Sequence, residues 1–275
     1  LSKIKRIEAD QSLLVFLREL LDYRELLLTF AWRDYRVRYA QTFLGVAWGV
    51  LQPLLTILIL WLVFSRFIDV DMGEVPPIAF VASGVACWTY FSFVVSQSGQ
   101  AVIQSQQMVK KIYFPKVLLP LSKALLGMID LIIVLVLLVV ILFWSGVPLR
   151  FEMLFIPLVL IALITFSVGL GIWVSSLTIK YRDVQQLVPF TIQVGLYLTP
   201  VAYPASFASE MLPKAALYFY YLNPMVGIIE ALRYCLFGAG SLDGYSVFSL
   251  TVGIVMAASG VWYFHRSERK IADLV

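Results

Sequence analysis

Between Trp32 and Tyr39 the chain reads WRDYRVRY, so Arg33, Arg36 and Arg38 stand with Tyr35 and Tyr39 directly before a long apolar run. A guanidinium is a planar fork of donors that can meet two phosphate oxygens at once, and a tyrosine hydroxyl can add another donor. Lysine would meet a simple need for positive charge equally well. The residue types therefore suggest an anion site, while an ordinary charged flank remains the plainer alternative.

Ser83, Tyr90, Gln97 and Gln104 recur every seven residues in an otherwise apolar segment, with Ala86, Phe93 and Gln100 beside them. A helix drifts only ~20° per such step, so these residues share one stripe. Gln186, Pro189, Gln193, Tyr197 and Pro200 make a comparable stripe further on. Amides and hydroxyls are costly against lipid, so both stripes must face protein or water; hydrogen bonds between helices would also satisfy them. Asp130 sits in the middle of another apolar run, where a carboxylate costs about 2.5 to 3.5 kcal/mol on insertion scales. It needs a partner. With no second buried acid or histidine beside it, a structural hydrogen bond fits better than a proton relay. Glu230 and Arg233, one helical turn apart, can pair, and Ser167, Gly171 and Ser175 repeat at the spacing of close helix packing.

Other chemistry is mostly excluded by what is missing. The single histidine is His265, the two cysteines are Cys87 and Cys235 at different expected depths, and no phosphate-loop pattern occurs. Zinc sites, histidine-based triads and disulfide frameworks are therefore unsupported. The expectation is a chain with no catalytic residue, metal or cofactor of its own.

The elements that must carry these groups follow from composition. Hydrophobic residues make up 61% and charged residues 14% of the chain, against roughly 25% charged in soluble domains. The fold class is all-α integral membrane. Six apolar runs are long enough to span, at about 43–65, 78–102, 117–144, 153–177, 187–203 and 246–264. Residues 1–42 form a cytoplasmic N-terminal segment and 43–275 the transmembrane domain. Lys3, Lys5 and Arg6 open the chain, yet no apolar signal region follows them, so a cleaved signal is not expected. Most of the 21 Lys and Arg residues fall on one side if both termini are cytoplasmic, while the first outer loop holds Asp69, Asp71 and Glu74.

Two segments do not span. Within Gln11–Ala31, Leu13, Leu17, Leu20, Leu21, Leu27 and Leu28 share a helix face opposite Arg18, Glu19, Asp22 and Glu25, which describes an amphipathic helix at the membrane interface. Met211–Gly238 is apolar but carries Lys214, Glu230 and Arg233 and is broken at Asn223-Pro224. It reads as two re-entrant outer helices, the second capped by Asn223 with Pro224 in its first turn. An external interfacial hairpin is the alternative.

VKKIYFPKVLLP (109–120), KYRDVQQLVPF (180–190), YLTPVAYP (197–204) and LNPMVGIIEALR (222–233), with the arginine-rich approach to the first span, give a sequence that resembles the permease subunits of ABC-2 type polysaccharide exporters, those for O-antigen, capsule or teichoic acid. The resemblance implies a homodimer of six-span subunits in the bacterial inner membrane and two cytoplasmic ATPase subunits that hold ATP and Mg. It also implies a channel for a lipid-linked glycan, here expected to be undecaprenyl-diphosphate-linked O-antigen; nucleic acid has no part. On that reading Arg33, Arg36, Arg38 and Tyr39 meet the diphosphate head group, and Ser83, Tyr90, Phe93, Gln97, Gln193 and Tyr197 line the glycan path. Met108, Lys110, Lys111, Ile112 and Tyr113, on a short helix within Gln104–Tyr113, contact the ATPase. Asn223, Pro224, Glu230 and Arg233 form the exit gate. An exporter of another amphiphile is the nearest alternative. A secondary carrier would need coupling-ion sites and internal repeats, which are not found, and a membrane scaffold would leave the stripes unexplained.

Overall fold

The computed structural model describes residues 20–40, 45, 47–239 and 243–274, with side chains as far as Ser267. Among the described residues the regular structure is helical. Lipid offers the backbone no hydrogen bonds, so each apolar run satisfies its own amides by coiling. In chain order the helices are α1 (Arg24–Tyr39), α2 (Ala47–Trp61), α3 (Pro77–Gln104), α4 (Gln106–Lys111), α5 (Leu118–Trp144), α6 (Ile156–Lys180), α7 (Val184–Leu198), α8 (Ala205–Met211), α9 (Lys214–Tyr221), α10 (Pro224–Phe237) and α11 (Gly244–Leu274). A π-helical turn, Leu62–Phe67, extends α2, and a 3-10 turn, Phe151–Phe155, leads into α6.

Five of these are long and apolar enough to cross a bilayer: Ala47–Phe67, Pro77–Gln104, Leu118–Trp144, Phe151–Lys180 and Gly244–Ser267. The central one is α3, whose most apolar window is 78% buried against 22% for α2. Small residues let its neighbours approach. A side chain at Gly84 would strike the Val201 carbonyl, and one at Gly171 of α6 would meet the α3 residue Ser98 at 2.9 Å. The Ser167, Gly171 and Ser175 repeat thus lies in a helix contact, with both serines fully buried. A second close contact was not read from the sequence: Gly169 of α6 lies against Ala257 and Gly260 of α11.

That contact fixes direction. Gly169 meets residues 257 and 260, and the Trp173 ring lies 6.2 Å from that of Tyr263, tilted by 47°. Numbers rise together, so α6 and α11 run the same way and the chain between them must recross once. The fifth expected span, 187–203, is shorter than expected. It is α7, with 15 residues, which reaches about 22 Å against a hydrocarbon core of about 30 Å. A turn at 199–204 follows it.

The outer helices then fold back. α9 and α10 meet at a bend of 85°. Asn223 caps α10, its side chain accepting from the Met225 amide at 3.1 Å, and Pro224 occupies the first turn. Pro224 packs 3.0 Å from where a Cβ on Gly253 would lie, a position about 13 Å along α11 from its Gly244 end. The vertex therefore lies within the length of α11 and not beyond its Gly244 end. A left-handed Gly238, φ 68°, ends α10.

Candidate functional site

The site begins with how α1 is held. Phe30 packs edge-on to Phe114, with ring centroids 5.4 Å apart; Asp34 takes Lys123 at 2.9 Å; and Arg38 donates to Asp130 at 2.6 Å. All three contacts climb together, so α1 runs beside α5 in the same direction. Leu118 to Asp130 measures about 18 Å along a helix, which brings the end of α1 well past the Leu118 end of α5. Leu20 and Leu27 pack inward with Phe30, whereas Leu21 and Leu28 are exposed. Leu13, Leu17, Arg18 and Glu19 of the expected interface helix lie outside the described residues.

The arginines of WRDYRVRY have separate fates. Arg33 pairs with its neighbour Asp34 at 2.8 Å. Arg36 is exposed. Arg38 lies over the Phe93 ring at 4.6 Å as well as against Asp130, which supplies the partner that the mid-span carboxylate required. Tyr39 stands beside the same group. Burial raises the pKa of its phenol above the ordinary value despite the opposing pull of Arg38, so at neutral pH it remains a protonated donor.

Two connected recesses open here. A 310 Å³ recess at the break between α1 and α2 is lined by Arg38, Tyr39, Gly45, Trp48 and Gln52. A 660 Å³ cleft continues from it, sharing Arg38 and Gln52, and passes Phe93, Gln97, Asp130, Pro189 and Gln193. Its α3 wall follows Val85, Thr89, Ser92 and Ser96. The hydroxyls of Thr89, Ser92 and Ser96 recur at three- and four-residue steps, a signal overlooked in favour of the larger side chains of the seven-residue stripe. Gln52 and Thr56 of α2 were missed as well. Across α7, on its other side, lies an apolar groove of 590 Å³ that includes Trp173, Leu187 and Val194.

The remaining expected lining residues are placed elsewhere. Tyr90 and Ser83 are fully buried, because the seven-residue stripe rotates off the cleft towards its upper end. Ser83 instead accepts from Arg233 Nε at 3.4 Å. Tyr197 is exposed on α7 outside the cleft.

Arg233 is 1% exposed and joins three elements. It donates to the carbonyls of Val201 at 2.8 Å and Tyr203 at 3.1 Å, pairs with Glu230 at 3.4 Å and stacks on Phe80 at 3.6 Å. Asn223 joins the outer helices to α7 and α11, donating to Thr199 at 2.8 Å while its carbonyl accepts from Ser249 at 2.7 Å. On the opposite side of the molecule, α4 is followed by exposed Ile112 and Tyr113, next to exposed Lys110 and Lys111, with Met108 half-buried.

The chain is 28% identical over 254 residues to the O-antigen export system permease protein RfbA of Klebsiella pneumoniae, covering 91% of this chain and 95% of that protein. It is 26% identical to the RfbA of Myxococcus xanthus, over 91% of this chain and 96% of the relative. The polysialic acid transport protein KpsM of Escherichia coli is 24% identical over 73% of this chain and 77% of its own length. The model of the ABC-2 type transporter family matches residues 25–237, from the start of α1 to the end of α10, and the chain belongs to that family.

Proposed function

We propose that this chain is the membrane subunit of an ATP-driven exporter of lipid-linked polysaccharide, undecaprenyl-diphosphate-linked O-antigen in the first instance, across the bacterial inner membrane. The observation that carries the reading is the continuity of the two recesses through Arg38 and Gln52. A diphosphate held by Arg38 and Tyr39, with Arg36 exposed nearby and Arg33 a weaker contributor, leads its glycan past Phe93, Gln97 and Gln193. Aromatic faces suit sugar C–H groups, and amides suit sugar hydroxyls. The likeness to a polysialic acid transporter favours a capsular chain as the second substrate class.

The cleft is a half-channel in this reading. Gln52 and Gln193 are exposed at membrane depth, and α7 buries no residue. A second copy that closes over these faces gives the amides protein and water in place of lipid. Both termini are cytoplasmic. ATP and Mg reside on two separate ATPase subunits, which meet Met108, Lys110, Lys111, Ile112 and Tyr113. The helices around Asn223, Pro224, Glu230 and Arg233 close the outer end.

Export of a surface glycan in cells that depend on this chain is the test. Arg36→Lys and Arg38→Lys preserve charge and topology, and Tyr39→Ala removes only the phenol. Each should lower export at least about tenfold, the cost of one lost charge-assisted contact, while lipid-linked glycan accumulates inside. Asn223→Ala with Pro224→Ala should reduce export more than membrane assembly. Wild-type export by the head-group variants in an assembled complex would return the arginines to the role of a charged flank.

A further inference from the structure

Arg38 stands in both recesses with its charge already neutralised. Its Nη1 donates to Asp130 Oδ2 at 2.6 Å, and the two side chains differ in exposure, 29% for Arg38 and 6% for Asp130. The carboxylate is set in the wall and the cation at the opening. The Phe93 ring lies under the guanidinium at 4.6 Å and holds its plane.

We propose that Asp130 is a specificity-determining residue: a resident counter-anion that keeps Arg38 from ordinary anionic phospholipids and releases it to a diphosphate. The proposal rests on the head-group reading above. Anionic lipid is attracted to basic side chains at the cytoplasmic leaflet, so a bare guanidinium at this opening would retain whichever phosphate arrived first. A phosphodiester such as phosphatidylglycerol carries one charge on a single phosphoryl group. To take Arg38 it must leave the Asp130 carboxylate unpaired in a dry wall, and one pair is simply exchanged for another at a loss. A diphosphate offers two adjacent phosphoryl groups with higher total charge. One can occupy the fork of Arg38 while the other reaches Tyr39 and Gln52, which line the same recess. That second engagement offsets the broken pair.

The surroundings favour such an exchange. A Cβ on Gly49 would lie 3.7 Å from the Tyr39 hydroxyl and 3.9 Å from Asp130 Oδ1, so the phenol and the carboxylate face the same opening, and a group bound at Arg38 has the phenol within reach. Lys123, the one cation on α5, is committed to Asp34 at 2.9 Å. The neutralising pair is thus specific to Arg38 and Asp130, and removing the carboxylate should expose the cation without moving another charge.

The test uses the permease assembled with its ATPase, reconstituted in vesicles of phosphatidylethanolamine and phosphatidylglycerol and then re-extracted. Retained phosphatidylglycerol per permease is measured by mass spectrometry, with and without undecaprenyl diphosphate as competitor. Asp130→Asn should retain about tenfold more phosphatidylglycerol than wild type. The excess should disappear when Arg38→Gln is added, and undecaprenyl diphosphate should displace it less readily than it binds to wild type. Equal phosphatidylglycerol retention by wild type and Asp130→Asn, with Arg38-dependent diphosphate binding intact, overturns the proposal and leaves the head-group site standing. Equal diphosphate binding by wild type and Arg38→Gln overturns the head-group reading and this proposal with it. If Asp130→Asn does not assemble, the exchange Arg38→Asp with Asp130→Arg restores a neutral pair. Retention at the wild-type level by that exchange supports the proposal, and retention well above it overturns it.

Discussion

Asp34 meets two cations, Arg33 at 2.8 Å and Lys123 at 2.9 Å, with little solvent around it. Breaking a buried pair from one side costs about 3 to 5 kcal/mol, because the remaining charge is stranded. Here Arg33 stays with Asp34, so Lys123→Met should cost somewhat less, about 2 to 3 kcal/mol. Asp34→Asn in the same chain should restore most of the loss. Thermal unfolding of the purified permease checks this; a single variant that unfolds at the wild-type temperature would remove the pair as a clamp. These partners were poorly legible in the sequence. The need of Asp130 for a partner could be read from its position, but Arg38 lies 92 residues away, and only packing of α1 along α5 brings them together. By contrast, Asn223 capping α10 and the pairing of Glu230 with Arg233 were legible because each rests on local helix spacing.

At the scale of elements, apolar length set the long helices well and hid the short ones. α7 breaks off after Leu198 because Pro200 disfavours helix at Thr199, and the turn that follows is tied by Asn223 and Arg233 to other helices, long-range ties that no local pattern in 187–203 discloses. The α4 segment is different, since a proline after Phe114 ends any helix there and basic residues mark the side of the membrane. Phe114 is buried against Phe30, while Ile112 and Tyr113 face outward. The exposed pair is the natural contact for the proposed ATPase. Cysteine placed at 112 should crosslink to the partner ATPase in the assembled complex, whereas cysteine at the buried position 117 should not. An assembled complex without a crosslink from 112 would exclude this surface as the contact.

For the whole molecule, the shared direction of α6 and α11 makes a topological statement that can be tested apart from any substrate. Cysteines introduced at Tyr181 and Ser267 should be labelled by a membrane-impermeant thiol reagent from one side, the cytoplasmic side by the distribution of basic residues. Cysteines at Gly73 and Gly146 should be labelled from the other. The native Cys87 and Cys235 are buried, so background should be low. Labelling of 181 and 267 from opposite sides would contradict the arrangement. The composition disclosed the membrane fold, and the long apolar runs disclosed most of its order; the cleft wall was less legible because it is made of small hydroxyls that a search for large polar groups passes over.

The Arg233 tie has a consequence in time. Ser83 and Arg233 are separated by 150 residues, and at a synthesis rate of roughly 5 to 20 residues per second the serine emerges about 8 to 30 s before its partner. During that interval α3, the most enclosed helix of the finished protein, has neither the Val201 turn nor α10 to cover its outer end. Assembly of the outer half is therefore a late event on the ribosome, and a nascent chain arrested before residue 224 would present Phe80 and Ser83 to lipid or to a membrane chaperone in place of the arginine that later covers them.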